Sequence, residues 1–247
     1  MTQEMKGLLL EDRWAPVTST MGFLELGAEQ AAQAFATWHR GLMISRGLTV
    51  EVLPVTGTLE QVLSSLLPLT SGEGQRRYLF IPTRSAWTAY VESGWTGTDA
   101  ASPMSVMARK LSIRCLRVVA VPHTLRKNQG VRYGAVMLDV FGPEQPGKIH
   151  NYVRALGASN DGGRWVFDQE GEPFPFEQVE RYQARRVRDR FTFEMLKDYL
   201  RHLGLSPFEE DFYMPPGSRA WLIQKTGPFT TVGQEYTLEE ARAARVL

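Results

Sequence analysis

Arg84, Asp99, Ser102 and His123 are the residues of this sequence whose types and neighbourhoods suit chemistry. Asp99 lies in a run of small polar residues, 94–101, that surrounds Trp95. Ser102-Pro103 then reads as a helix start, with the serine as N-cap and the proline at the first helical position. Unpaired N–H groups at such a start can hold an anion. Asp99 could serve there as a base, with Arg84 and His123 on a charged substrate. That reading gives a small enzyme or a nucleotide- or anion-binding domain with its site on loop 94–102. The same loop suits a second role. Trp95 offers a large rigid apolar surface and one N–H donor, and Thr96, Thr98 and Asp99 beside it supply polar contacts, as at protein-binding anchors. Against both stands the simpler reading that Gly94, Gly97 and Asp99 only make turns.

Other catalytic constellations are missing from the sequence. His39, His123, His150 and His202 make no HxH or HExxH spacing, so no metal site is expected. Gly72-Glu73-Gly74 does not complete a dinucleotide fingerprint, and there is no GxSxG elbow or Walker loop, so no cofactor is expected. The one cysteine, Cys115, sits in an apolar run and reads as a small core residue. With 28 basic against 27 acidic residues the net charge is +1, which gives no global pull toward nucleic acid or membrane. Arg181, Arg185, Arg186, Arg188 and Arg190 crowd one segment, but Glu180, Asp189, Glu194 and Asp198 interleave with them. On a helix, Arg185 with Asp189 and Arg190 with Glu194 would pair at i,i+4, so nucleic-acid binding ranks last. Acidic residues Glu4, Glu11 and Asp12 around a brief leucine run do not read as a signal peptide, and no apolar run approaches membrane-helix length. A cytoplasmic location follows as the default.

The elements that must position the loop come from periodicity. Tyr78 to Pro82 and Trp87 to Glu92 read as a strand pair. In the second of these, Trp87, Ala89 and Val91 alternate with Thr88, Tyr90 and Glu92, the pattern of a strand with one buried face. Met104, Met107 and Leu111 give a helical stripe, and Leu116 to Val121 a buried strand. Before them come a strand at Met21 to Leu26, a helix over 28–46, a strand at Thr49 to Leu53 and a Thr58/Gln61 capping box into a helix over 59–67. These αβ units suggest a mixed sheet with helices mainly on one face.

From Val131 onward, runs over 131–141, 152–159 and 164–168 read as a β-meander, with a hairpin signal at Asn160-Asp161-Gly162-Gly163. Long helices should follow: one over 178–190, then a second capped by Thr192 and ended by Gly204. A strand at Ala220 to Gln224 and a Thr237/Glu240 box before a terminal helix complete the chain. The expectation is one α+β domain over 1–247, with a subdomain boundary near 125–131.

Three segments carry a resemblance: WTAYVESGWTGTDA at 87–100, RWVFDQEGEPFPFE at 164–177 and RFTFEMLKDYLRHLGLSPFEEDFY at 190–213. They resemble uncharacterised bacterial proteins encoded beside polymorphic or type VI-secreted toxins, which are taken to be cognate immunity proteins. The resemblance implies a non-catalytic protein that neutralises a toxin by binding it, with the cognate toxin as partner. It carries no site residues with it.

Overall fold

Why the chain folds as it does is clearest from its strands, most of which have apolar side chains on both faces. A strand of that kind must be covered twice. The computed structural model describes residues 5–43, 47–126, 130–144 and 150–244. In chain order its elements are β1 (Thr20–Leu24), α1 (Ala28–Met43), β2 (Thr49–Val55), α2 (Leu59–Ser64), β3 (Leu69–Thr70), β4 (Tyr78–Pro82), β5 (Thr88–Glu92), α3 (Ala101–Leu111) and β6 (Cys115–Val121). There follow β7 (Thr124–Arg126), β8 (Gly130–Arg132), β9 (Ala135–Phe141), β10 (Tyr152–Asp161), β11 (Arg164–Glu170), α4 (Phe193–His202), β12 (Ala220–Thr226), β13 (Glu235–Tyr236) and α5 (Leu238–Ala244). The expected helix end at Arg46, part of the 142–147 connection and residues 127–129 of the expected boundary lie outside the described residues.

Nine strands form one sheet in the order β11-β10-β9-β6-β1-β5-β4-β12-β2. Every ladder in it is antiparallel, which corrects the expected mixed sheet. The meander joins this sheet, because β9 pairs with β6 from Cys115↔Phe141 to Val121↔Ala135. Late strand β12 inserts between β4 and β2.

Helices α1 and α3 cover one face. The α1 stripe of Ala32, Phe35, Ala36 and His39 is buried, and the Phe35 ring meets Tyr78, Phe80 and Tyr90 at 4.9, 5.2 and 5.6 Å between centroids. Helix α3 lies over β1, where Gly22 makes room for it: a Cβ there would stand 2.8 Å from Met104 Sδ. The other face carries Phe23, Leu79, Ile81, Val91, Leu138 and Leu156 in one apolar cluster with α2, α4 and the residues around Phe191 and Phe212. Strand β5 is therefore buried along its whole length, not on one face only. The alternation of Thr88, Tyr90 and Glu92 marks a polar side that α1 and α3 cover.

Three local expectations move. Helix α3 begins at Ala101 with Ala100 as N-cap, so Ser102 is not the cap. Asp99 Oδ1 accepts from Ala101 N at 3.2 Å and starts the helix earlier, so Pro103 is the third helical residue and not the first, still within the turn whose N–H groups have no partner inside the helix. The run 131–141 is split, since Gly134 N turns to donate to His123 Nδ1. Residues 178–190 form two 3-10 turns, Val179–Gln183 and Val187–Asp189, in place of a long helix. Tertiary bonds override helix propensity there: Gln178 N donates to Tyr199 Oη at 2.6 Å and Arg190 Nε to Ala184 O at 3.0 Å. The i,i+4 pairing expected on that helix goes with it.

Those turns are fastened by an ion pair buried under the meander. Arg154 Nη2 and Glu177 Oε2 lie 2.7 Å apart, each side chain 1% exposed. Gly171 (φ +83°) lets the chain turn over Val153 O, where a Cβ would stand 2.2 Å away. Removing one charge should leave the other buried and unpaired. Glu177→Ala is expected to cost about 3–5 kcal/mol in urea unfolding, and an Arg154→Met/Glu177→Leu double variant should recover most of it.

Candidate functional site

The loop after β5 is held from inside. Thr98 is buried, its hydroxyl donating to Val17 O at 2.9 Å and accepting from Glu92 N at 3.1 Å. Trp95 is half-buried and stacks on Tyr236, 4.8 Å between centroids at 16°, while its backbone N–H donates to Thr70 O at 3.1 Å. Thr96 and Asp99 are exposed. Of the residues expected to form a partner surface, Trp95 and Thr98 are thus engaged in holding the loop to the rest of the chain.

The second group separates as well. Arg84 sits in the β4–β5 turn, at the far end of β5 from Asp99; its backbone N–H donates to Phe212 O at 2.8 Å and its guanidinium Nε to Asp211 O. His123 is buried edge-on to Trp165, 5.6 Å between centroids, and burial lowers its pKa. Neither residue lines the cleft that Asp99 and Ser102 share.

That cleft is where the structure gathers chemistry. It has a volume of about 310 Å³ and lies between the C-terminal end of α1 and the first turn of α3. Its floor is the covered polar side of the sheet. Tyr78 of β4 stands opposite Glu92 of β5 in the ladder, and Lys225 of β12 lies beyond Tyr78. Trp38, Leu42, Met43 and Pro103 make its apolar wall. The volume is at the lower bound of small-molecule sites, for which about 300–1,000 Å³ is usual, and half of the lining is charged or polar.

Glu92 is the centre of the floor and is 2% exposed. Its Oε1 accepts from Arg76 Nη1 at 3.0 Å and from Asp99 N at 3.2 Å, and its Oε2 from Tyr90 Oη at 2.7 Å. Burial pushes its carboxyl above the usual carboxylate range, against the lowering effect of Arg76 and the hydrogen bonds. Arg76 also reaches Glu73 Oε1 at 3.4 Å, and its Nε is buried with no hydrogen-bond partner. Lys225 Nζ donates to Glu73 O at 2.7 Å and to Tyr78 Oη at 3.0 Å, and lies 4.9 Å from the centroid of the Tyr78 ring. His39 is 7% exposed, stacks on Phe35 at 4.5 Å, and has Nδ1 buried without a partner. Burial, with Lys225 nearby, lowers its pKa from 6.5 to about 4. The imidazole is therefore neutral at pH 7.

Sequence reading found Asp99 and Ser102 of this cleft and missed Glu92, Arg76, Tyr78, Lys225 and His39. Glu92 is legible as a charge in an apolar strand; its burial is not, since an alternating strand predicts solvent on its polar side. Lys225 and His39 lie far along the chain from Glu92 and have no shared motif. Among the described residues, no group of three or more His, Cys, Asp or Glu is placed to hold a metal ion, and no helix is long and apolar enough to cross a membrane. Comparison with protein-family models, curated proteins and solved structures finds no match.

Two outcomes follow from this geometry. The folded pKa of His39 lies below its unfolded value, so its contribution to stability is complete above about pH 6.5 and is lost as the pH falls toward 4. His39→Phe should remove roughly 2–3 kcal/mol of that acid-side slope, read by urea unfolding of both proteins across this window. Trp95→Ala should cost about 1–3 kcal/mol, less than a fully buried tryptophan, and should raise amide exchange in β13, which the stacked rings hold.

Proposed function

We propose that this chain is a binding protein whose site is the cleft between α1 and α3, and that its ligand is a small polar molecule. The observation that carries the reading is the gathering of buried ionisable side chains, Glu92, Lys225, His39 and Tyr78 with Arg76 beside them, on the lining of one cleft. His39 Nδ1 and Arg76 Nε are both buried without partners. A buried polar atom left unpaired costs about 1–3 kcal/mol, so this corner of the fold is less completely bonded than an ordinary core. The other support is the charge density. Glu92 and Lys225 are both more than nine-tenths buried, and buried charges gather at functional sites more than elsewhere.

Binding is favoured over acid–base catalysis by the state of Glu92. Both its oxygens already accept hydrogen bonds from Arg76, Tyr90 and the Asp99 amide, which fixes the carboxylate as part of the wall. His39, with a pKa of about 4, is a weak base at neutral pH.

The test is a small-molecule fragment library screened by NMR on protein labelled in its histidine rings. Binders should shift the His39 ring signals, and Ser102→Trp, which places a large side chain at the mouth from an exposed position, should abolish the shifts without changing the melting temperature. A library in which nothing moves His39 would overturn the reading. So would a protein toxin that binds the chain and leaves both His39 and the Ser102→Trp affinity untouched, and that result would instead favour the toxin-neutralising role.

A further inference from the structure

We infer that β11 is a docking edge for a second copy of this chain, with the two sheets joined into one across a two-fold axis. The ends of the nine-stranded sheet are β2 and β11, and β11 is the end far from the cleft floor. The two ends are not equally protected. In β2, Pro54 takes an N–H out of the strand, a common guard against edge pairing. Strand β11, RWVFDQE, has no proline and runs in continuous register with β10. The 3-10 turn Val187–Asp189 approaches β10 as well as β11, which places it over the sheet face and not beside the outer edge.

The ladder decides which groups that edge presents. Asp161 and Arg164 close a two-residue turn, so they exchange both of their backbone bonds. In steps of two from Arg164, Val166, Asp168 and Glu170 also bond to β10. Asn160 N turns the other way, to Gly134 O at 2.8 Å, so Trp165 opposite it is not bonded across the ladder. Trp165, Phe167 and Gln169 therefore aim their N–H and C=O groups away from the sheet. Among the described residues no other backbone group meets them, and Gln169 N has only the neighbouring Asp168 Oδ1 at 2.9 Å.

Pairing of identical edges about a two-fold axis is antiparallel. Centred on Phe167 it uses the whole strand: Phe167 meets Phe167 of the second copy, and Trp165 meets Gln169 on either side. Each of these pairs can exchange two N–H···O bonds. In that register Arg164 of each copy stands opposite Glu170 of the other, with Cβ atoms about 5 Å apart. Both side chains are exposed, and neither has an ion-pair partner among the described residues of its own chain. A base at the start of the strand and an acid at its end thus make two ion pairs. Val166, 45% exposed on the same face, gains cover from the facing strand. Centring on Asp168 instead would set two aspartates against each other.

Sedimentation of the full chain from about 1 to 200 μM, with hydrogen exchange at both ends of that range, is the experiment. A concentration-dependent dimer is expected. The amides of Trp165, Phe167 and Gln169 should exchange at least about tenfold more slowly at the high end. Arg164→Glu sets carboxylates face to face and should weaken the dimer about tenfold or more while leaving the circular dichroism unchanged. Arg164→Glu/Glu170→Arg should restore it, because the swapped charges meet again. Gln169→Pro removes an outward N–H from an edge position and should also dissociate the dimer. A chain that stays monomeric throughout overturns the inference. So does a dimer that Arg164→Glu leaves intact, or one whose β11 amides exchange as fast as in the monomer. A double variant that stays dissociated overturns the register and the charge argument with it.

Discussion

Strand β5 has no wet face. The sheet buries Ala89 and Val91 on one side and Thr88, Tyr90 and Glu92 on the other, because α1 and α3 cover the side that would otherwise be solvated. A carboxylate in that position must be bonded or its burial would destabilise the fold by several kcal/mol. Much of the local architecture answers this demand. Arg76 comes from the segment before β4, Tyr90 from two residues back on the same strand, and the Asp99 amide from a loop that folds over the strand end. That loop is in turn fixed by Thr98 on Val17 O and by Trp95 on Tyr236. The N-terminal segment, the loop, the start of α3 and the C-terminal strand β13 therefore meet around one buried charge.

The chain contains a second buried acid–base pair, and the contrast between the two separates architecture from site. Arg154 is 1% exposed, and its guanidinium donates to Glu177, to Gln169 Oε1 at 2.8 Å and to Gly171 O at 2.8 Å. Glu177 also accepts from Phe174 N at 3.0 Å and Tyr182 Oη at 2.6 Å, and Tyr182 meets Tyr199 at 3.0 Å. Neither residue has an orphaned atom. This is a closed network that ties the meander to the turns before α4. Around Glu92 the carboxylate is equally well bonded, yet its arginine has an orphaned Nε and the neighbouring histidine an orphaned Nδ1, and both residues line the cleft. Burial of charge alone does not distinguish the two. Incomplete bonding on residues that line a cleft does.

Local chemistry was legible in the sequence, and long-range pairing was not. The Thr58/Gln61 box caps α2 as read, Thr192 caps α4, and Gly204 ends its helix region at φ +80°. The turn between β10 and β11 is made by Gly162 and Gly163, both at positive φ, as the Asn-Asp-Gly-Gly signal requires. Each of these depends on residues within four positions of one another. The insertion of β12 between β4 and β2 has no such signal, nor does the placement of β1 between β5 and β6. The two 3-10 turns at 179–189 show the same limit from the other side. Their helical composition is real, but Tyr199, Glu177 and Ala184 offer the backbone and side chains better partners than a regular helix would.

The site was half legible for the same reason. Asp99 and Ser102 were found because loop polarity and a helix start are local features. Glu92, Arg76, Lys225 and His39 come from four separate elements, and what unites them is the antiparallel ladder β12-β4-β5 with α1 laid across it. In an antiparallel sheet, side chains two residues apart on one strand share a face with those opposite on the next, so a polar position near one strand end predicts polar neighbours across the ladder. Glu92 opposite Tyr78, with Lys225 one strand further, obeys that rule once the strand order is known. The pattern in β5 was therefore a correct statement about which residues share a side. It became misleading only through the further step that a polar side must face water, and in this fold it faces a cleft.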